Sequence, residues 1–169
     1  MKQRMIWVAM LGLALASTSA AQTKISGTMS CASAKADPAY SIDVGDSARH
    51  TLGLLKEACT WTNPMQIEGA ATKDSYNVVT IDVHGTRDHA NGYGVGNMAD
   101  GEKTFVRFSG TDTLTKDGKP NTSVGTWSFT GGTGKYKGIA GKGTYEAKAD
   151  ASGNMVSEIK GEYTLPAKK

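Results

Sequence analysis

The sequence predicts an all-β domain, either a sandwich or a single closed antiparallel barrel of about eight strands, and we favour the barrel. Three features support this prediction: stretches in which apolar and polar residues alternate, turn-forming dipeptides between them, and a glycine-rich segment near the C-terminus. Alternation with a period of two is typical of strands with one buried and one solvated face. Closure into a barrel would remove the exposed edges of an open sheet.

The first 21 residues have the pattern of a secretory signal peptide. Lys2 and Arg4 precede an apolar run over residues 5–16, and small residues at positions 19–21 suit a cleavage site. The run is too short to cross a bilayer, and no cysteine directly follows it to carry a lipid. We expect cleavage after Ala21, with Ala20 as the alternative, no membrane anchor, and one exported domain over residues 22–169.

The net charge argues against a nucleic-acid partner. The chain has 19 basic and 16 acidic residues, and removal of Lys2 and Arg4 with the signal leaves 17 basic residues. A balance this close to neutral, with both signs spread along the chain, makes no basic surface for nucleic acid or anionic lipid.

Cys31 and Cys59 are the only cysteines of the chain, and both follow the predicted signal. In an oxidising compartment such a pair is expected to form a disulfide. Closing a loop of about 28 residues would stabilise the fold by roughly 3–4 kcal/mol. The alternatives are a reactive dithiol or half of a metal site, but no Cys-x-x-Cys or His-x-x-His motif accompanies the pair.

Strands and turns can be placed along most of the chain. A representative strand alternates Val79, Ile81 and Val83 with Thr80, Asp82 and His84. Turns are predicted at Asn63-Pro64, Asn91-Gly92, Asp100-Gly101, Asp117-Gly118 and Ser152-Gly153-Asn154. Residues 46–56 are the one stretch where we allow a short helix.

The glycine-rich segment follows a strand-like run that begins at Trp127. Glycine stands at six positions between 131 and 143, and we interpret Gly131, Gly132, Gly134, Gly138 and Gly141 as a structural turn. A phosphate-binding loop does not fit, because Lys135 precedes Tyr136 rather than Ser or Thr and the glycine spacing misses the dinucleotide pattern.

The run Phe129-Thr-Gly-Gly-Thr-Gly-Lys-Tyr136, followed by Gly138-Ile-Ala-Gly141 and a strand, resembles the signature of the allene oxide cyclase and dirigent barrel superfamily. The chain is more closely similar to small exported bacterial members without an assigned activity, through Cys59-Thr-Trp61, Pro64 and Asp100-Gly101. The resemblance implies a closed, calycin-like barrel in the bacterial periplasm or outside the cell. The resemblance assigns no catalytic residue to this chain, and members of the superfamily have several different functions.

Few residues suggest chemistry. Asp82 and His84 share a strand face and could form an acid–base or metal pair. They lie opposite the apolar set that begins at Val79, so we favour solvated side chains. His89 is interpreted as part of the approach to the Asn91-Gly92 turn, and no motif links a serine nucleophile to a histidine.

Two charged residues lie on strand faces that could point into the barrel. Glu57 shares a face with Cys59 and Trp61, and Arg107 shares one with Phe105. If these faces point inward, both charges need a partner or a polar ligand; the opposite phase would put both in water. Aromatic residues with polar tips suit a pocket for a small molecule, although core packing would explain them too. The candidate ligand-binding residues are Glu57, Trp61, Arg107, Tyr145 and Tyr163.

These features favour an exported barrel that binds a small hydrophobic or amphipathic ligand without turnover. One alternative is an isomerase-, cyclase- or dirigent-like enzyme, distinguished by ionisable groups that converge inside the barrel with shifted pKa values. Another is a filled barrel that serves a structural or interaction role through its outer surface. We expect no cofactor and no metal, and nothing in the sequence defines an oligomeric state.

Overall fold

The structure, a computed structural model, describes residues 22–167; the predicted signal peptide of residues 1–21 lies outside this range. The ten strands are β1 (Thr23–Cys31), β2 (Ala39–Asp43), β3 (His50–Asn63), β4 (Gln66–Ile67), β5 (Ala70–His84), β6 (Arg87–Met98), β7 (Lys103–Leu114), β8 (Pro120–Gly132), β9 (Ala140–Ala149) and β10 (Met155–Thr164). Short 3-10 turns occupy Ser33–Lys35 and Gly134–Tyr136. No helix within residues 22–167 has the length and apolar character needed to cross a membrane.

Eight of the strands close into an antiparallel barrel. Strand order around it is β3-β1-β10-β9-β8-β7-β6-β5, and pairing of β5 with β3 closes the ring. The two short strands are additions: β2 pairs with the first half of β3, and β4 pairs with the start of β5. The predicted closed eight-stranded barrel is therefore confirmed, and the sandwich is excluded.

The turns follow the predicted dipeptides with one exception. Gly101, Gly118 and Gly153 have φ between 80° and 87°, a region that glycine adopts readily, in the β6–β7, β7–β8 and β9–β10 connections. Asn91-Gly92, by contrast, lies in the middle of β6. Because Gly92 has no side chain, it leaves room for the ring of Phe108, whose Cζ atom would be 2.3 Å from an added Cβ.

Residues 46–56 form no helix in the structure, because β3 already begins at His50. Position 85 supplies a turn that the predicted dipeptides missed: Gly85 has φ 66° in the β5–β6 connection.

One end of the barrel is filled. The glycine-rich segment turns between β8 and β9 and places Tyr136 and Ile139, which are 0% and 4% exposed, against Ile67 and Met98. The Tyr136 hydroxyl donates to Asp100 Oδ2 at 2.9 Å, in the β6–β7 connection. The segment therefore closes this end of the barrel.

Candidate functional site

The other half of the barrel is hollow. A cavity of about 360 Å³ lies between the inner faces of the strands and reaches the end where Leu114, Gly118 and Pro120 of the β7–β8 hairpin contribute to its wall. Apolar side chains such as Val79 and Phe108 form much of the lining. A volume of a few hundred Å³ with a mostly apolar wall is typical of a site for one small molecule.

Two aspartates face each other on the inner wall of this cavity. Asp88 of β6 and Asp112 of β7 are cross-strand partners, and both line the cavity. Asp88 is only 4% exposed. Burial, the neighbouring charge of Asp112 and a hydrogen bond between the two carboxyl groups raise the pKa of Asp88 to about 7. Burial also raises the pKa of Asp112. The pair therefore retains a proton near neutral pH.

A hydroxyl network continues from the aspartates. Ser123 of β8 is the cross-strand partner of Asp112 and donates a short hydrogen bond to Asp112 Oδ1. Tyr145 of β9 lies beyond it, and burial, with the charges of both aspartates adding to it, raises the pKa of Tyr145 to about 12. Tyr145 is thus a neutral hydroxyl in the cavity wall at any physiological pH.

Glycines on the neighbouring strands make room for the Tyr145 ring. A Cβ atom added at Gly110 or Gly125 would lie 2.1 or 2.5 Å from the Tyr145 hydroxyl oxygen. Both positions face inward at the same level of the barrel. The absence of a side chain at Gly110 and at Gly125 therefore allows the large phenol of Tyr145 to cross the interior.

Glu57 lies inside the barrel on a second polar wall. Its Oε1 accepts from Asn77 Nδ2 at 3.0 Å and its Oε2 from Ser33 Oγ at 2.5 Å. Cys31 and Cys59, cross-strand partners on β1 and β3, form the predicted disulfide beside it. The two sulfur atoms lie within 4.8 Å of a Glu57 oxygen, but they are bonded to each other and offer no thiolate to a metal.

The remaining candidate residues divide between three places. Trp61 lines the cavity and donates from Nε1 to Ser75 Oγ at 2.7 Å. Tyr163 is buried in the filled end, where its hydroxyl accepts from the backbone N–H of Glu68. Arg107 is exposed on the outer wall and donates to Ser128. Of the two orientations considered for the charged residues, Glu57 therefore has the inward one and Arg107 the outward one.

The outer wall around Arg107 also has a broad, shallow depression of about 1380 Å³, flanked by Lys24, Lys142 and Lys160. Its size exceeds that of the interior cavity, but it is open to solvent on the outer surface of the barrel. We place the candidate site inside the barrel because the buried ionisable residues converge there.

Sequence reasoning missed Asp88, Asp112 and Ser123. The sequence did contain an indication that Asp88 is buried. Asp88 lies on the same strand face as Ala90 and Gly92, and such small residues are typical of a face that points into a narrow barrel. The alternation within one strand does not reveal the register between β6 and β7, which places Asp88 opposite Asp112.

Two buried polar atoms of the cavity lining are left without a partner. Asp88 Oδ1 and Trp127 Nε1 have no hydrogen-bond partner among residues 22–167. Buried polar atoms are nearly always satisfied in folded proteins, so each such atom needs an explanation. One is a carboxyl oxygen and the other an N–H donor, and both belong to residues that line the same cavity.

Comparison with known proteins supports the fold. No protein-family model matches the sequence, and no curated protein matches it. Among solved structures, that of a pterocarpan synthase dirigent protein superposes with a TM-score of 0.53 at 10% sequence identity, over 88% of this chain and 87% of that chain. At this identity the similarity concerns the fold alone. The chain therefore has a dirigent-like closed β-barrel, in agreement with the fold that the glycine motif implies.

Proposed function

We propose that this protein binds one small amphipathic molecule in the hollow half of its barrel. The observation that carries the proposal is the pair of unpartnered polar atoms, Asp88 Oδ1 and Trp127 Nε1, on residues that line an otherwise mostly apolar cavity of about 360 Å³. A ligand with an apolar body and a hydroxyl or carbonyl group would bury its body there and satisfy these atoms.

The carboxyl pair favours a neutral polar group on the ligand. Because Asp88 and Asp112 retain a proton near neutral pH, they offer both a donor and an acceptor. A second anion would meet the charge that the pair already carries, whereas a neutral hydroxyl can donate to Asp88 without adding charge to a buried site.

We further propose that the protein acts outside the cytoplasm. The disulfide between Cys31 and Cys59 suits an oxidising compartment, and the sequence of residues 1–21 has the pattern of a signal peptide. Fractionation of the producing cell, with mass determination of the N-terminus, tests both parts. A cytoplasmic chain that still begins at Met1 would contradict them.

Binding can be tested with 1-naphthol and the similarly shaped 1-methylnaphthalene as probes. Since Trp61 and Trp127 line the cavity, binding should change the tryptophan fluorescence. We expect 1-naphthol to bind about 5–10-fold more tightly, because one net hydrogen bond contributes about 1 kcal/mol. Equal affinities would contradict a polar anchor, and no binding of either probe would overturn the site.

A matched pair of variants locates the binding. Ala90 points inward and is 4% exposed, whereas its neighbour Asn91 is on the outer face. Ala90→Leu should fill part of the cavity and weaken 1-naphthol binding at least tenfold, while Asn91→Leu should leave it unchanged. Equal effects of the two variants would place the probe outside the barrel.

The second candidate function is a dirigent-like or cyclase-like enzyme that acts on such a molecule. The observation that favours it is the pKa of Asp88, about 7, since a general acid works best when its pKa lies near the ambient pH. Asp88→Asn separates the two functions: an enzyme would lose turnover while still binding substrate, whereas for a binding protein only affinity would change. The hollow interior disfavours the third alternative, a filled barrel with only a structural role.

A further inference from the structure

Two of the three histidines of the chain contact one carboxylate, that of Asp82, on the outer wall of the barrel. His50 on β3 is the cross-strand partner of His84 on β5, and Asp82 lies two residues before His84 on the same outer face. His89 on β6 is the cross-strand partner of Asp82. Residues that are far apart in sequence are brought together here by the β3–β5 pairing that closes the barrel.

The geometry of His50, Asp82 and His84 suits metal coordination. The Nε2 atoms of both histidines lie 3.1 Å from Asp82 Oδ1, and the three potential ligand atoms are within 4.8 Å of one another. The two rings stack with centroids 3.8 Å apart. Ligand atoms of a tetrahedral zinc ion, each about 2.0–2.1 Å from the metal, are roughly 3.3 Å apart. Only small side-chain movements would therefore separate this arrangement from a coordination shell.

A second carboxylate orients His50. Asp46, in the β2–β3 connection, places its Oδ1 2.5 Å from His50 Nδ1, and the His50 side chain is only 12% exposed. A carboxylate on one ring nitrogen holds the other nitrogen ready for a metal and increases its basicity. Such a pairing is a recurrent feature of histidine metal ligands.

The same contact creates an electrostatic requirement at Nε2. When neutral His50 donates from Nδ1 to Asp46, its Nε2 carries a lone pair that faces the Asp82 carboxylate at 3.1 Å. Two acceptors at this distance repel each other, so a cation is needed between them. Either a second proton on the ring or a metal ion meets this requirement, and His84 Nε2 adds a third ligand for the metal.

We propose that His50, Asp82 and His84 bind a divalent first-row transition metal such as Zn²⁺, with Asp46 as a positioning residue and water in the remaining position. Two imidazole nitrogens and one carboxylate oxygen are a donor set that such ions accept. Asp82 and His84 are 45% and 55% exposed, so the ion can enter from solvent. The metal would bridge the start of β3 and the end of β5 and stabilise this end of the barrel.

The proposal can be tested with untagged, chelator-treated full-length mature protein and Zn²⁺ or Co²⁺ salts. We expect saturable one-to-one binding of Zn²⁺ by calorimetry, a higher melting temperature, and the intense visible absorption of tetrahedral Co²⁺. Long-range ¹H–¹⁵N spectra of the histidines should show Nε2 of His50 and His84 bound to metal rather than protonated. Absence of binding at 1 mM Zn²⁺, or a His50 ring that keeps both protons, would overturn the proposal.

Variants assign the individual roles. His50→Gln and Asp82→Asn should each abolish measurable binding, and Asp46→Asn should weaken it about 10–100-fold, the range for partners of metal-bound histidines. Glu146→Gln, which removes an exposed carboxylate on β9 across the barrel, should leave it unchanged. A decrease with Glu146→Gln equal to that with Asp82→Asn would show non-specific surface binding and contradict the site. Because Asp46 is exposed, its variant tests the proposal even if a His50 variant folds poorly.

Discussion

Asp88 and Asp112 are directly opposed across β6 and β7, with both carboxyl groups on the inner side of the barrel. Like-charged partners in this position cannot both ionise without a large electrostatic penalty, so one proton remains with the pair near neutral pH. This relationship makes the stability of the barrel depend on pH in a direction opposite to that of most carboxylates in proteins.

We predict that the free energy of unfolding falls as the pH rises from about 4 to 7. Below the ordinary aspartate pKa of about 3.9, Asp88 is protonated in both states; between that value and its folded pKa of about 7, only the folded state keeps the proton. The loss should reach at most about 4 kcal/mol, at 1.36 kcal/mol per unit. Urea unfolding of the wild type and Asp88→Asn between pH 4 and 8 measures it.

The comparison with Asp88→Asn measures the contribution of the Asp88–Asp112 pair as a whole, because the titrating groups outside the pair are common to both proteins. Asp100, Asp117 and Asp150 have lowered pKa values and stabilise the fold mainly at higher pH, with their effect lost below about pH 4. Parallel stability curves for the two proteins would show that the carboxyl pair ionises normally.

The disulfide should account for a large share of the stability. Replacing both Cys31 and Cys59 with serine is expected to lower the free energy of unfolding by roughly 3–4 kcal/mol, since it releases a loop with a sequence separation of 28 residues. Guanidinium unfolding with and without reductant measures the effect, and the double variant should no longer respond to reductant. An unchanged wild-type midpoint after full reduction would contradict this prediction.

Gly110 is expected to tolerate no side chain while Tyr145 is present. An added Cβ would lie 2.1 Å from the Tyr145 hydroxyl oxygen and 2.7 Å from the carbonyl oxygen of Val124. Gly110→Ala should therefore destabilise the barrel by about 1–3 kcal/mol. Combining it with Tyr145→Phe should recover part of this loss, but not all, because the backbone contact remains. Strictly additive effects in a thermal-unfolding double-mutant cycle would argue against the contact.

The hydroxyl of Tyr136 should contribute measurably to closure of the filled end. Tyr136→Phe removes the hydrogen bond to Asp100 and is expected to destabilise the fold by about 1–2 kcal/mol. Tyr93→Phe is a matched control, because Tyr93 is 66% exposed on the outer wall and its replacement should change stability by less than about 0.5 kcal/mol. Chemical unfolding of both variants would show equal midpoints if the buried hydroxyl contributed nothing.

Much of the fold follows from local patterns in the sequence. The alternation around Val79 and the turn glycines at positions 101, 118 and 153 depend on neighbouring residues only, and the structure agrees with them. Asn91-Gly92 shows where this reasoning fails. The dipeptide Asn-Gly can form a hairpin turn, or its glycine can make room for a ring on the neighbouring strand, as Gly92 does for Phe108. Only the partner strand distinguishes the two cases.

The candidate site could be predicted only in part for the same reason. The cysteine pairing needed no register, since the chain offers a single pair. Glu57 and Arg107 each fit two phases, and the choice between them depends on how β3 and β7 are twisted around the barrel. The aspartate pair and the grouping of His50 with His84 arise from strand pairing across 24 and 34 residues, which no local pattern records.

The filled end of the barrel has a kinetic consequence. With Tyr136 and Ile139 packed across one end, a molecule in the cavity would have to enter and leave on the side of the β7–β8 hairpin. Association and release would then share a single passage beside that hairpin. Such a binder can hold its ligand for a long time without binding it especially tightly, because residence time is governed by the passage as well as by the contacts inside.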